Sequence, residues 1–246
     1  MQSLKTHGII IKRSNFGEAD RILTVLTDRL GKVKAIAKGV RKTRSHLAGS
    51  LEPYMLVDLQ LHQGKNFYIV TGASIISEYQ NIHSDIKKIA QAFFVGELID
   101  KFVEENQKAK SVFDLANLTF SAIEKDQKSL IVLAFQLKIV EQAGFKPEIY
   151  NCIHCKEKLS AGDNFWDHIE GGIICRLCQQ KFHHGEKISD QAIKVFRFLE
   201  QNNFSIITKL KLDQETESEV DKILLEYIKS ILEKEIKSRK FLNQVG

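Results

Sequence analysis

The chain has 246 residues, of which 43% are hydrophobic and 27% charged, and it contains only two prolines. This composition is typical of a globular protein with room for one large domain or two ordinary ones. The apolar stretch near the amino terminus, residues 8–11, ends at Lys12 and is far too short for a signal peptide, and no later run approaches a membrane span. We therefore expect a cytoplasmic protein without a membrane partner.

The net charge of +5 is unevenly distributed along the chain. Residues 1–80 hold twelve Lys and Arg against six Asp and Glu, whereas residues 81–150 hold nine against ten. Residues 151–185 hold four of each sign, and residues 186–246 hold eleven of each. An excess of positive charge confined to the first third predicts a polyanionic partner for that segment.

The first third is predicted to form β-structure, because short hydrophobic stretches alternate there with turn signals rich in Gly, Asn, Asp and Ser. The predicted strands are residues 8–11, 21–27, 31–38, 54–61 and 66–71. Five short strands at this spacing predict a small closed barrel.

A row of basic residues accompanies the third predicted strand. Val33, Ala35 and Ala37 share one face by the period of two, which places the neighbouring lysines together on the other, solvent-facing side. The row continues into the following loop, and residues 33–51 contain no Asp or Glu. A solvated charged face is the simpler explanation, but an unbroken single-sign surface favours phosphate binding. The predicted DNA-binding residues are Lys32, Lys34, Lys38, Arg41, Lys42 and Arg44. Four aromatic residues, Phe16, Tyr54, Phe67 and Tyr68, are available to stack on bases, although each is more often a core residue.

From about residue 82 the hydrophobic period changes to that of helices. Ser84 and Ser111 are predicted N-caps of the first two helices, and a third, apolar all round and therefore buried, runs from about Ser129 to Gln142. Gly144 is predicted to end it in the left-handed conformation. Three acids on one helical side, Glu97, Asp100 and Glu104, are expected to be exposed surface residues, not an acid/base pair.

All four cysteines lie in one short window, as two C-x-x-C pairs with 19 residues between them. A two-residue gap lets one turn present two thiolates, and this spacer brings a second turn back to the first, as in zinc ribbons. The predicted ligands of one structural Zn²⁺ are Cys152, Cys155, Cys175 and Cys178. Two disulfides would need an oxidising compartment, and a thioredoxin-like site would need only one pair.

Catalysis at this metal is not expected, because four cysteines close the coordination shell and leave no place for water. The sequence from His168 to Cys178 loosely resembles the zinc deaminase signature, but the gap is four residues and no proline precedes Cys175. Three histidines, His154, His183 and His184, are expected to lie outside the ligand set. Phe165 and Trp166 are expected to cover one side of a module too small for its own core.

After the cysteines, Ser189 is predicted to begin a helix that buries Ile193, Phe196 and Leu199. A last long helix is predicted to carry Val220, Ile223, Tyr227 and Ile231, with Leu232 as a further candidate, and to end in the basic segment 237–240. The predicted division is therefore a barrel at 1–80, helices at 81–150, a ribbon at 151–185 and further helices at 186–246. No P-loop and no nucleophile elbow is present.

Several segments, taken together in order, resemble the bacterial RecO recombination mediators, which act in DNA repair in the RecF pathway. The resemblance covers nearly the whole chain. It rests on segments 17–23 (GEADRIL), 37–42 (AKGVRK), 51–54 (LEPY), 144–147 (GFKP) and 237–242 (KSRKFL), on Gly31, and on the two glycines before the second C-x-x-C. Lys156 stands where many zinc knuckles have glycine.

The resemblance implies an α+β multidomain protein: an N-terminal five-stranded OB-type barrel followed by a helical domain with an inserted four-cysteine zinc ribbon. Some family members lack the cysteines, so zinc is expected to support the shared activity, not to carry it. It implies binding of single- and double-stranded DNA, strand annealing, and the partners RecR and the C-terminal tail of single-stranded-DNA-binding protein, with RecA loading as the outcome. The tail is expected to bind an apolar groove with a basic rim in the helical domain, not the barrel.

Two other classes stay open. One is a zinc-ribbon transcription or translation factor, in which the ribbon itself would touch nucleic acid. The neutral charge of residues 151–185 argues against this class. A metal-dependent nucleic-acid enzyme would need an open ligand set. We expect no enzymatic activity.

Overall fold

The computed structural model describes residues 3–126 and 128–245. The chain divides into two compact units, one formed by Met1–Gln127 with Lys237–Gly246 and the other by Lys128–Ile236. The architecture is mixed α+β, with a closed five-stranded barrel at the amino terminus, as predicted. The division predicted from the sequence, with boundaries after residues 80, 150 and 185, stays a prediction, because these two units are defined by packing alone.

The barrel consists of β1 (Ser3–Phe16), β2 (Asp20–Thr27), β3 (Gly31–Ala37), β4 (Leu56–Gln63) and β5 (Tyr68–Ser77), in the order β1-β2-β3-β5-β4. Each overlaps a predicted strand. Alternate residues point inward, so that Leu23, Val25, Val33 and Ala35 are wholly buried in one apolar core. The period of two therefore identified the inner face correctly.

The β1–β2 hairpin extends beyond Leu56, the first residue of β4. Residues 3–9 of β1 pair with β4, but pairing with β2 continues to Phe16 opposite Asp20. Gly17 has a φ of +57° and allows the tight turn at the hairpin tip. The tip therefore stands free of the neighbouring strand β4.

Four helices complete the first unit: α1 (Gln80–Ser84), α2 (Ile86–Phe102), α3 (Lys110–Lys125) and α9 (Ser238–Val245). The predicted cap at Ser84 is wrong by one residue: Asp85 is extended, and its carboxylate accepts the backbone N–H groups of Lys87 and Lys88. Ser111 lies inside α3, whose cap position Ala109 makes no side-chain hydrogen bond.

The second unit contains α4 (Ser129–Gln142), α5 (Arg176–Phe182), α6 (Asp190–Gln201), α7 (Phe204–Ile207) and α8 (Gln214–Leu232), with the small sheet β6 (Asn164–Asp167), β7 (Gly172–Cys175) and β8 (Glu186–Ile188). The burial of α4, the φ of +90° at Gly144 and the cap at Ser189 are confirmed. The predicted last helix is confirmed as α8, which buries Val220, Ile223 and Tyr227, but its predicted end is wrong: α8 ends at Leu232, where Glu233 is left-handed, and α9 is separate.

Within the described residues, no helix is long and apolar enough to cross a bilayer.

Candidate metal centre and nucleic-acid interface

The first cysteine pair lies on a tight turn before β6. The backbone N–H of Lys156 donates to the carbonyl of Cys152 at 2.9 Å, which closes the turn. Lys156 adopts a φ of +62°, the conformation that glycine adopts most easily. The lysine therefore takes the position of the usual knuckle glycine at a modest conformational cost, and the turn keeps both cysteines on the same side.

The second pair follows the β6–β7 hairpin, with Cys175 at the end of β7 and Cys178 on α5. All four sulfur atoms lie within 4.8 Å of one another, and those of Cys155 and Cys175 are 3.8 Å apart. Four thiolates at about 2.3 Å from a tetrahedral zinc would have their sulfurs roughly 3.8 Å apart. The donor set and its spacing therefore fit a four-thiolate metal site.

The thiol environment also suits metal binding. Burial alone would raise the pKa of Cys152, but the backbone N–H groups of Cys175, Cys155 and His154 outweigh it and lower that pKa to about 6. The pKa of Cys178 is raised, first by burial and then by the neighbouring cysteines. A cation would offset this crowding, because metal ligands bind as thiolates.

The nearby histidines make other contacts. The ring of His154 packs on Phe182 with centroids 4.4 Å apart, and Nδ1 of His184 lies 2.8 Å from a carboxylate oxygen of Asp167. His183 is exposed and left-handed at the end of α5. Among the described residues, the four cysteines alone form a cluster of metal-ligand geometry.

Aromatic side chains join this ribbon to the helices of its own unit. Trp166 is fully buried and stacks on Phe196 of α6, with ring centroids 4.9 Å apart, while Tyr227 of α8 approaches its edge. Phe165 packs against the small cluster of Cys152, Ile153 and Ile174. Both aromatics therefore cover the ribbon as predicted, and the Trp166 ring cannot stack on a base.

The loop after β3, residues 38–44, is here called the basic loop. Four of the six predicted DNA-binding residues lie on it, and Lys38, Arg41, Lys42 and Arg44 are all exposed. The backbone N–H of Arg41 donates to the carbonyl of Ala19 at 2.9 Å. The loop is therefore anchored to the β1–β2 turn, and its cations still face solvent.

Lys32 is not on the solvent face, which corrects the sequence prediction. Its side chain is buried, and its Nζ donates to the backbone carbonyl of Asp100 and to Oδ1 of the same residue, the latter at 3.1 Å. The segment after α2 covers this end of β3, since the N–H of Asn106 donates to the Lys32 carbonyl at 2.8 Å. Alternation along a strand identifies a barrel's outer face, but it does not reveal where another element covers that face.

Lys34 lies two residues further along β3, on the same side of the strand. It is exposed and forms an ion pair of 2.6 Å with the exposed Glu105. Such a pair contributes little to stability and is readily exchanged for a phosphate. The six predicted residues therefore separate into five exposed cations and one buried lysine.

The acids of α2 also differ from expectation. Glu97 accepts the backbone N–H groups of Lys237 and Ser238, at 3.0 and 2.7 Å, and Asp100 holds Lys32. Both are half-buried, and only Glu104, beyond the end of α2, is exposed. The helical side that carries them faces partners contributed by distant segments, which sequence spacing could not indicate.

A cavity of about 600 Å³ opens beside these acids within the first unit. Tyr54 and Phe93 form part of its apolar wall, and Lys12, Lys101 and Lys237 contribute positive charge. Burial raises the pKa of Tyr54. Sequence spacing gives no sign of this cavity, because its lining residues come from segments far apart along the chain.

Comparisons with known proteins agree along the whole chain. A family model described as Recombination protein O N terminal matches residues 1–79, and one described as Recombination protein O C terminal matches residues 83–240.

Individual relatives extend the agreement. A protein of Dehalococcoides mccartyi named DNA repair protein RecO is 36% identical over 243 residues, which cover 98% of this chain and 96% of that protein. Proteins with the same name from Roseiflexus sp. and Thermoanaerobacter sp. are 32% and 28% identical, covering 98% and 100% of this chain and 85% and 99% of their own lengths. The barrel topology, the four-cysteine cluster and these matches lead to one conclusion: the chain belongs to the RecO family of DNA repair proteins.

Proposed function

We propose that this chain is a recombination mediator that binds single- and double-stranded DNA and anneals complementary strands. With RecR, it would help to load RecA onto DNA coated by single-stranded-DNA-binding protein, acting in the cytoplasm at the nucleoid. The observation that carries the proposal is the set of five exposed cations formed by Lys34 and the basic loop. No acidic residue interrupts the sequence from residue 33 to residue 51.

The physical basis of annealing is charge. Two DNA strands repel each other through their phosphates, and a cationic surface that binds phosphate releases condensed counterions and lowers this repulsion. Phosphate contacts of this kind carry no sequence information. Annealing requires no covalent bond to be made or broken, so we propose no enzymatic step.

We propose that the four cysteines hold one Zn²⁺. When bound, the ion would cross-link the two cysteine-bearing segments. Coordination by four thiolates would leave no position for a water molecule. Cys152 and Cys155 would hold it from the first turn, Cys175 and Cys178 from the hairpin and α5. Its role is to stabilise the ribbon, since metal-binding free energy in such small modules is folding free energy.

For the acidic tail of single-stranded-DNA-binding protein, we propose the 600 Å³ cavity of the first unit. Residues of β1 line it together with α2, so this site differs from the expected one on the helical domain alone. Its apolar wall suits an aromatic side chain, and its lysines suit carboxylates. The carboxylates of Glu97 and Asp100 are offset by Lys101 and Lys32, at 3.6 and 3.1 Å, and Lys12 and Lys237 are further positive charges of the lining. The rim therefore offers positive charge to an acidic peptide.

The decisive test of DNA binding is a salt titration. Changing Arg41, Lys42 and Arg44 to Ala removes up to three phosphate contacts. The slope of log affinity against log salt on single strands should then become shallower by about two units, at roughly 0.7 per contact. The changes lie on an exposed loop, so stability should change by no more than about 0.5 kcal/mol. Annealing, with and without single-stranded-DNA-binding protein, should fall.

The matched control is a triple change of Arg176, Lys181 and Lys187 to Ala, three exposed cations of the ribbon region. It removes the same charge from the chain as a whole. It should leave the salt slope unchanged. If the ribbon variant flattened the slope and the basic-loop variant did not, the ribbon would be the nucleic-acid site, as in a zinc-ribbon transcription or translation factor.

Tail binding has its own test. A peptide with an acidic segment and a C-terminal aromatic residue should bind the protein in a salt-sensitive manner. Phe93→Ala, which removes part of the apolar wall, should weaken binding about tenfold or more, as for a buried aromatic anchor. Leu118→Ala is the control, because Leu118 is an exposed hydrophobic residue of the same unit outside the cavity. Equal effects of the two changes would exclude this cavity.

A further inference from the structure

The last helix, α9, packs in the first unit although it follows the second unit in sequence. It has only eight residues, and none of them is buried. Helices shorter than about 12–15 residues are marginal in water on their own, because nucleation is costly. The helical structure of α9 therefore depends on its contacts with the rest of the first unit.

A side chain of α2 caps the start of α9. The first turn of α9 contains no acidic residue of its own. Instead, the carboxylate of Glu97 accepts the backbone N–H groups of Lys237 and Ser238, at 3.0 and 2.7 Å. A cap that lies on another helix stabilises α9 only while α9 is docked.

Two ring contacts hold the body of α9 against α2. The ring of Phe241 meets that of Phe93 edge-on, with centroids 6.0 Å apart. The guanidinium of Arg239 lies over the ring of Phe94, 5.9 Å from its centroid. Contacts this few, at the surface, are typical of elements that open locally without global unfolding. We therefore treat α9 as the detachable element of the first unit.

The groups that hold α9 also line the 600 Å³ cavity. Glu97 and Phe93 belong to its lining, and Lys237, just before α9, completes it. Phe93 also contacts Tyr54 edge-on at a centroid distance of 5.6 Å, so a row of three rings leads from α9 into the cavity. A ligand that fixed the rings of Phe93 and Tyr54 would also fix the surface on which Phe241 rests.

The docked helix brings positive charge to the cavity. The N–H groups of a helix's first turn form the positive end of its dipole, and Lys237 adds an ammonium group. Glu97 offsets part of this charge, but Lys12 and Lys101 also line the cavity. An anionic ligand should therefore bind more favourably when α9 is docked than when it is detached.

We propose that α9 is a detachable wall of this cavity, and that α9 and an acidic peptide in the cavity stabilise each other on α2. The inference rests on the proposed tail site and adds its regulation, because the site is complete only while α9 is docked. By linkage, docking of α9 and binding of the peptide strengthen each other by the same factor. Couplings of this kind are typically about 5- to 150-fold.

Amide hydrogen exchange tests the effect of the peptide on α9 in the full chain. With a saturating peptide that has an acidic segment and a C-terminal aromatic residue, the protection factors of the α9 amides should rise about fivefold or more. Those of α6, in the second unit, should not change. A peptide with the same acidic segment and a C-terminal alanine is the control. It should protect α9 much less, because it has no ring to contact those of the cavity wall.

Substitution of Phe241 tests the reciprocal effect of α9 on the peptide. Phe241→Pro removes the ring and breaks the helix, although Phe241 itself is not part of the cavity lining. Peptide affinity should fall about fivefold or more. Phe241→Ala, which keeps the helical backbone, should have a smaller effect in the same direction. Asn243→Ala is the matched control, at an exposed position of α9 outside the cavity, and should leave peptide affinity unchanged.

DNA binding reports whether these variants are folded. The salt slope proposed to arise from the basic loop should stay as in wild type in every α9 variant, since none of them changes a charge. A loss of peptide affinity with an unchanged salt slope is therefore not caused by misfolding of the barrel.

The outcomes separate the coupling from the tail site on which it rests. If a peptide that does bind left α9 protection unchanged, or if Phe241→Pro kept wild-type peptide affinity, the coupling would be overturned and the tail site would stand. Tighter peptide binding in Phe241→Pro would make α9 a competitor for the cavity and would likewise overturn the coupling. Equal weakening by Phe93→Ala and Leu118→Ala would remove the tail site and the coupling together.

Discussion

The cysteine ribbon and the β-barrel differ in what holds them together and in what they present to solvent. The barrel has a continuous apolar core of twelve fully or nearly buried residues, and it carries the excess positive charge of the chain. The ribbon, residues 151–185, carries four charges of each sign, and its own core cluster contains only Cys152, Ile153 and Ile174. A module with so little apolar burial needs another source of stability, which a metal can supply.

The difference separates stability from binding. The barrel folds around its inner face and leaves outward cations, Lys34 and those of the basic loop, exposed to solvent. In the ribbon, the residues with distinctive chemistry are turned toward one another, and its one tryptophan is buried against α6. Changes in the ribbon should therefore affect folding first, and changes on the barrel's outer face should affect DNA binding first.

The largest effect is expected from the cysteines. Cys152→Ala should reduce the zinc content from one ion per chain to none and should destabilise the second unit by several kcal/mol, because structural zinc contributes about 10–16 kcal/mol in small zinc modules. Elemental analysis and calorimetry measure both. DNA affinity per folded molecule should persist.

His183→Ala is the control for this prediction, as it changes a neighbouring exposed residue outside the cysteine cluster. Wild-type protein that contains no metal after production with ample zinc would contradict the proposed site. A large loss of DNA affinity in a folded cysteine variant would contradict the separation of the two regions.

A smaller effect is expected for two lysines of β3, one of which stabilises the barrel while the other is proposed to bind DNA. Lys32→Ala should lower the free energy of unfolding by about 1.5–3 kcal/mol, since it removes hydrogen bonds from a buried ammonium to Asp100. Lys34→Ala should cost at most about 1 kcal/mol but should flatten the single-strand salt slope by about 0.7. Urea unfolding and fluorescence anisotropy measure the two effects, and a reversal of the pattern would show that Lys32 is available to DNA.

The smallest effect concerns the cap of α9. Burial would raise the pKa of Glu97, but hydrogen bonds from Ser238 and Lys237, with the charge of Lys101, outweigh it and lower that pKa. A lowered folded-state pKa contributes stability above the unfolded value of about 4.3, and this is lost as pH falls through the folded value. Glu97→Gln should cost about 1 kcal/mol near neutral pH.

Amide hydrogen exchange of α9 measures this cap directly. The protection factors of the α9 amides, which correct for the intrinsic pH dependence of exchange, should fall in Glu97→Gln at neutral pH and in wild type as the pH falls through the folded pKa of Glu97, while α3 stays protected. Lys110, whose ion pair with Asp114 is exposed, provides the control variant Lys110→Ala, for which no acceleration of α9 is expected. Protection factors of α9 that do not change with pH in wild type would contradict the capping role.

The sequence by itself determined the features that depend on short-range spacing. Two C-x-x-C turns and a spacer specify which side chains can meet at a metal, and alternation of apolar residues specifies the inner face of each strand. The N-cap at Ser189 and the helix stop at Gly144 also follow from local backbone preferences. Resemblance over nearly the whole chain then led to the family, which the comparisons confirmed.

Only the tertiary structure decided which outward residues remain exposed and which distant residues meet. Lys32 and Lys34 lie on the same side of β3 by alternation. Asp100, 68 positions from Lys32, binds and covers Lys32, whereas Lys34 stays exposed. The barrel likewise closes only through the pairing of β1 with β4, two strands that are remote in sequence. The physical reason is that local preference and periodicity act over a few residues, whereas burial and charge pairing depend on packing between segments that are remote in sequence.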